Sequence, residues 1–151
     1  MAGWTNRGKF NVLGQRYRSA AAPTNFYIAL VRVTAVPGAD TNTLSELTQI
    51  STSTGYSDGG ISLNKNSTDF DVLTEDDTND RALVQLKDIV WTASGGNLDS
   101  GAGARYAVLT DDNVTVGSRE VEHYWDLVSD RNVSDTQTLT LQDCEIRINE
   151  T

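Results

Sequence analysis

Cysteine and histidine each occur once, as Cys144 and His123, and proline occurs only twice. A lone cysteine excludes an intrachain disulfide, and a lone histidine confines any Ser-His-Asp, Cys-His or histidine-metal constellation to that one residue. Long apolar runs are missing as well. The longest, Phe26 to Val33, is far short of the roughly 20 residues that cross a bilayer as a helix. No basic start followed by an apolar stretch precedes the body, so a chain made and used without secretion or membrane insertion is expected. On that expectation the sequons at Asn66, Asn113, Asn132 and Asn149 are read as turn residues rather than glycosylation sites.

Acid is absent from one end. Residues 1 to 39 carry Arg7, Lys9, Arg16, Arg18 and Arg32 with no Asp or Glu, a charge of +5. The remainder holds all 21 acids against 7 bases, a charge of −14. A basic N-terminal arm on an acidic body can fold back on its own domain, reach a neighbouring copy or dock on another acidic protein. The acidic body argues against nucleic acid as a partner, because phosphate binding draws on a clustered basic face.

The chain is 151 residues long, the size of one domain with one core. Its many Gly, Ser, Thr, Asn and Asp residues suit short strands and turns. The expected fold is all-β in the main, an antiparallel β-sandwich or jelly-roll-like barrel with a short N-terminal helix or extended arm over residues 1–22 and a single β-rich domain over 23–151. Thr5 is placed to cap a helix whose Phe10, Leu13 and Tyr17 share one face. Ser19 to Pro23 ends it, since the residue before proline avoids the α region.

Asn25 to Val33 reads as a buried strand, and Leu44 to Ile50 as one or two helical turns. Gly55 to Gly60 reads as a turn with Tyr56 packed inward. Ile61 to Asn64 and Phe70 to Leu73 are short strand candidates. Arg81 to Thr92 changes phase near Asp88 as a bulged strand would, and is expected to form a hairpin with Ala104 to Thr110 across a glycine-rich loop. Val121 to Val128, Thr138 to Leu141 and the Cys144, Ile146, Ile148 alternation complete six to eight strands.

Few residues suggest chemistry. His123 in its strand pattern reads as half-exposed, and Cys144 as a small core residue. The acids from Glu75 to Asp80 are the one run that suits Ca²⁺, but they lack EF-hand spacing and read as a solvated turn. The glycine loops match neither a phosphate loop nor a dinucleotide fingerprint, so no cofactor, catalytic group or metal site is expected. Trp91 and Trp125 fit core strands. Trp4, in the arm, reads as an anchor to a partner. The expected partner-binding set is Trp4, Arg7, Lys9, Phe10, Leu13, Arg16, Tyr17 and Arg18.

Several phrases taken together carry a resemblance. They are Trp4-Thr5-Asn6-Arg7-Gly8, Phe26-Tyr27-Ile28-Ala29-Leu30, Asp40-Thr41-Asn42-Thr43-Leu44, Gly55-Tyr56 with Gly59-Gly60, Phe70 to Asp77, Val90-Trp91-Thr92-Ala93 and Arg105 to Leu109. With them the chain resembles, over nearly its whole length, a family of small structural proteins of tailed bacteriophages. The resemblance implies a non-enzymatic virion protein assembled in the host cytoplasm. It resembles capsid decoration (cement) proteins in its arm-plus-body plan, with copies of itself, in a trimer for instance, and the major capsid protein as partners. A tail, baseplate or fibre protein, including a receptor-binding tip, is the alternative. A carbohydrate-binding module is a third reading, which an exposed aromatic row on a sheet face would favour.

Overall fold

The structure, a computed structural model, describes residues 2–149. It is an antiparallel β-sandwich with one short N-terminal helix, as the composition predicts. The elements are β1 (Ala2–Trp4), α1 (Asn6–Tyr17), β2 (Asn25–Val31), β3 (Ile61–Asn64), β4 (Val72–Asp76), β5 (Arg81–Gln85), β6 (Ile89–Thr92), β7 (Ala104–Thr110), β8 (Val121–Arg131), β9 (Thr138–Leu141) and β10 (Glu145–Asn149). Five of these strands form one sheet in the order β1-β8-β7-β2-β3. Facing it are a three-stranded sheet, β10-β5-β4, and the pair β6-β9.

Alternation explains the layers. In β2, Ile28 and Leu30 point into the sandwich, where they meet Leu86, Ile89, Trp91, Leu141, Cys144 and Ile146 from the opposite layer. Ala29 and Val31 point the other way, against Val108, Val121 and Leu44 of a 3-10 turn at Leu44–Glu46. The central strands are therefore buried on both faces, which is why β2 reads as a continuous apolar run rather than an alternating one. Tyr56 is packed inward, donating its hydroxyl to Gln49 Oε1 at 2.6 Å and accepting from the Leu30 amide. Gly60 follows with φ +78°; a Cβ there would stand 1.8 Å from the Ile28 carbonyl oxygen, so no other residue fits.

Four expectations change. Arg81 to Thr92 is two strands in different sheets. The chain leaves the first after Gln85, where the Leu86 amide donates to Cys144 O and the Lys87 amide to Asp69 O, and so crosses to pair with β9. The hairpin with Ala104 to Thr110 is consequently absent, and β7 lies between β2 and β8. There are ten strands among the described residues, because β1 joins the main sheet and the run from Arg81 divides. Asp80 sits at φ +48° in the turn between β4 and β5. The first strand candidate there begins at Val72 rather than Phe70.

One buried carboxylate ties the glycine-rich loop to the sheet. Asp99 is 1% exposed and accepts from Arg32 Nε at 3.0 Å, the Ser51 amide and hydroxyl, and the Gly103 amide. Burial would raise its pKa, but these donors outweigh it and hold the carboxyl well below the usual carboxylate range. Its stabilising contribution is thus present above the ordinary Asp pKa and is lost as pH falls through the depressed value. Asp99→Ala leaves Arg32 and two amides without their acceptor and is expected to cost about 3 kcal/mol at neutral pH, measured by urea unfolding. The deficit shrinks toward pH 2, where the parent loses the same contribution.

Candidate protein-docking surfaces

The basic N-terminal segment is folded onto the body. β1 pairs antiparallel with β8, Gly3 opposite Tyr124. Thr5 then ends the strand and caps α1, its hydroxyl oxygen accepting from the Gly8 amide at 2.8 Å while the hydroxyl donates to Val121 O. Gly8 lies against β8 so closely that a Cβ would stand 2.2 Å from Glu122 O. Glu122 is the extra residue of a β-bulge, since Leu109 pairs with His123 and Thr110 with Val121. The glycine that weakens the helix in the sequence is what lets it seat.

This seating divides the expected partner-binding residues. Trp4 is not a free anchor. It packs on the sandwich core, edge-on to His123 at 5.5 Å, and its Nε1 donates to Arg147 O at 2.7 Å. Trp125 Nε1 likewise donates to Glu145 O, so two indoles occupy carbonyls along β10, an edge strand. The other seven residues lie on α1 or at its end. Phe10, Leu13 and Tyr17 are 66%, 57% and 76% exposed and form an apolar ridge directed away from the body. Lys9, Arg16 and Arg18 flank it in solvent, while Arg7 reaches Glu120 at 3.7 Å and covers the Phe10 ring. An N-terminal helix with no acid and an outward apolar face has neither a capping charge nor a covering layer within its own fold.

Beside α1 lies a second apolar surface, bordered by Leu13, which lines one concavity with Trp4, Val12 and Ile148. The three-stranded sheet extends past the main sheet and leaves part of its inner face open. Leu73, Val84 and Ile146 form one cross-strand row on that face, and Ala82 and Ile148 the next. Together with Trp4, Val12, Phe26, Phe70 and Leu109 they line a cleft of about 570 Å³. Leu73 is 83% and Ile148 60% exposed. Such an exposed apolar surface is a candidate interaction site.

The chemistry-bearing residues are placed differently. His123, expected half-exposed, is 3% exposed, because it alternates with Trp125 on the sandwich face and Trp4 of β1 covers it. Burial lowers its pKa to about 4, and Nδ1 has no hydrogen-bond partner. Cys144 is buried as expected, its thiol pushed up to about 12 by burial and then by Asp143 and Asp88. Neither is poised as nucleophile or base. In the acidic run Asp76 bonds Asn79 and Arg81, and among the described residues no cluster of three or more ligating side chains is suited to a metal. No aromatic row stands exposed on a sheet face among those residues. The turn reading of Asn66 and Asn113 is met, since each accepts from the amide two residues on, but Asn149 lies in β10 and Asn132 instead bonds Asp99 across the chain.

No family model, curated protein or solved structure matches the chain. What the molecule presents is therefore read from its own surface: a basic apolar ridge on the seated helix and an apolar cleft beside it.

Two measurements check the seating. Gly8→Ala should cost about 2–4 kcal/mol in unfolding free energy, because the added methyl meets backbone that cannot yield. Glu122 is buried beneath α1, and burial, aided by Asp111 and Glu120 and opposed by the Asn11 amide, raises its pKa to about 7. A folded pKa above the unfolded value of 4.5 means that stability falls as pH rises from about 4.5 to 7. Glu122→Gln should remove that fall and be more stable than the parent at pH 8, by on the order of 2 kcal/mol in thermal or urea melts. Equal slopes for parent and variant over that window would refute the assignment.

Proposed function

We propose that this chain is a non-enzymatic structural protein of a tailed-bacteriophage particle, a capsid decoration protein that docks through its N-terminal helix. The observation that carries the reading is the ridge of Phe10, Leu13 and Tyr17, held outward by the Gly8 contact and edged by Lys9, Arg16 and Arg18. A rigid helix presenting apolar residues at i, i+3 and i+7 is a common form of protein-docking element. The neighbouring bases steer it to an acidic surface and the apolar side chains retain it. The particle context comes from the sequence resemblance described above. The buried, unpartnered His123 and the protonated Cys144 agree with a role that needs no catalysis.

Quantitative mass spectrometry of purified virions of the encoding phage tests this directly. Hundreds of copies per particle are expected, and Leu13→Asp with Tyr17→Asp should strip the protein from particles without unfolding it. A handful of copies would place it in the tail or baseplate instead. Its absence from virions would end the structural reading.

A further inference from the structure

The ridge and the cleft are both uncovered, and they are complementary. The ridge is convex, apolar and basic, and α1 contains no acid. The cleft is concave and apolar. Glu122 is the acid and Lys65 the base within its lining, and Leu73 brings β4 to its edge, in a segment that holds Asp71, Glu75, Asp76, Asp77 and Asp80 and no base before Arg81. Glu75 lies two residues from Leu73, on the same sheet face, so acid borders the most exposed apolar residue of the cleft.

The ridge cannot enter the cleft of its own chain. Gly8 fixes the helix against β8, and that fixed helix offers Val12 to its own cleft, sets Leu13 at the rim beside Ile148, and leaves Phe10 and Tyr17 exposed away from it. A ridge and a cleft of this protein can meet only between two molecules.

We infer that the ridge of one copy docks in the cleft of the next, joining copies head to tail. The inference rests on the reading of α1 as the docking element, and names its partner as a second copy of this chain. Leu13 and its apolar neighbours enter the space bounded by Leu73, Phe70 and Ile148, and Lys9 and Arg16 meet the acids of β4. Each copy keeps one free ridge and one free cleft, so the contact is heterologous. Such contacts propagate until a ring closes or a particle surface ends them.

Sedimentation velocity of the full chain over a range of concentrations provides the test. The wild type should pass beyond a dimer as concentration rises, and association should weaken about tenfold or more as salt is raised from roughly 0.05 to 0.5 M. Phe10→Glu with Leu13→Glu removes the ridge, and Leu73→Glu with Ile148→Glu removes the cleft. All four side chains are exposed, and circular dichroism melts verify that each variant is folded. Each variant alone should stay monomeric, and an equimolar mixture should form a one-to-one dimer and stop there.

A wild type that halts at a dimer would overturn the head-to-tail arrangement, as would a mixture that stays monomeric. A wild type that is monomeric throughout, with a ridge variant that still falls off virions, would overturn this inference and leave the proposed function intact, with another virion protein as the partner.

Discussion

The first turn of α1 touches β8 backbone to backbone at Gly8 and Glu122, and the placement of the outer surface depends on that contact. Thr5 makes it possible by serving both elements at once, capping the helix with its oxygen and bonding the strand with its proton. From this point the helix has one orientation. Val12 goes to the cleft, Asn11 to the acids at Glu120 and Glu122, and the apolar ridge to solvent. Relaxing the approach by a side chain's width would free the helix to roll, and a rolling helix presents no defined face.

Charge is divided between covered and uncovered roles. The strongest ionic contact, Asp99 with Arg32, sits deep and works as a structural cross-link between the glycine-rich loop, the Ser51 segment and β2. Asp126 with Arg105 ties β8 to β7 in the same way at the surface. The helix bases are largely left out of such pairs, Arg7 excepted. Cations held on an apolar ridge and acids spread over the body give the molecule a polarity that acts over a Debye length, before any contact is made.

Local signals in the sequence were legible where the physics is local. The Thr5 cap, the buried run of β2, the inward Tyr56 among its glycines, the core role of Cys144 and the turn asparagines all follow from a few neighbouring residues. What could not be read was decided across the chain. The break after Gln85 is set by Asp69 and Cys144, far away in sequence, and it moved two strands to different sheets. Trp4 looked free because its core lies in β8 and β10. His123 looked half-exposed because Trp4, which covers its ring, comes from β1, far away in sequence. Of the docking set, the helix ridge was visible at helical spacing, whereas the cleft, assembled from seven strands, the helix and the loop at Phe70, had no sequence signal beyond the apolar character of Leu73, Ile146 and Ile148.

The pairing of β1 with β8 has a temporal consequence. Gly3 pairs with Tyr124, far along the chain, so the segment before α1 has no seat until β8 has been made. A twelve-residue helix with two internal glycines is marginal in isolation. Until β8 emerges, the basic segment is a loose tether that displays no oriented ridge. A polypeptide arrested or cleaved before Glu122 therefore never shows its neighbours a finished surface. The topology makes the outward face of α1 conditional on β8.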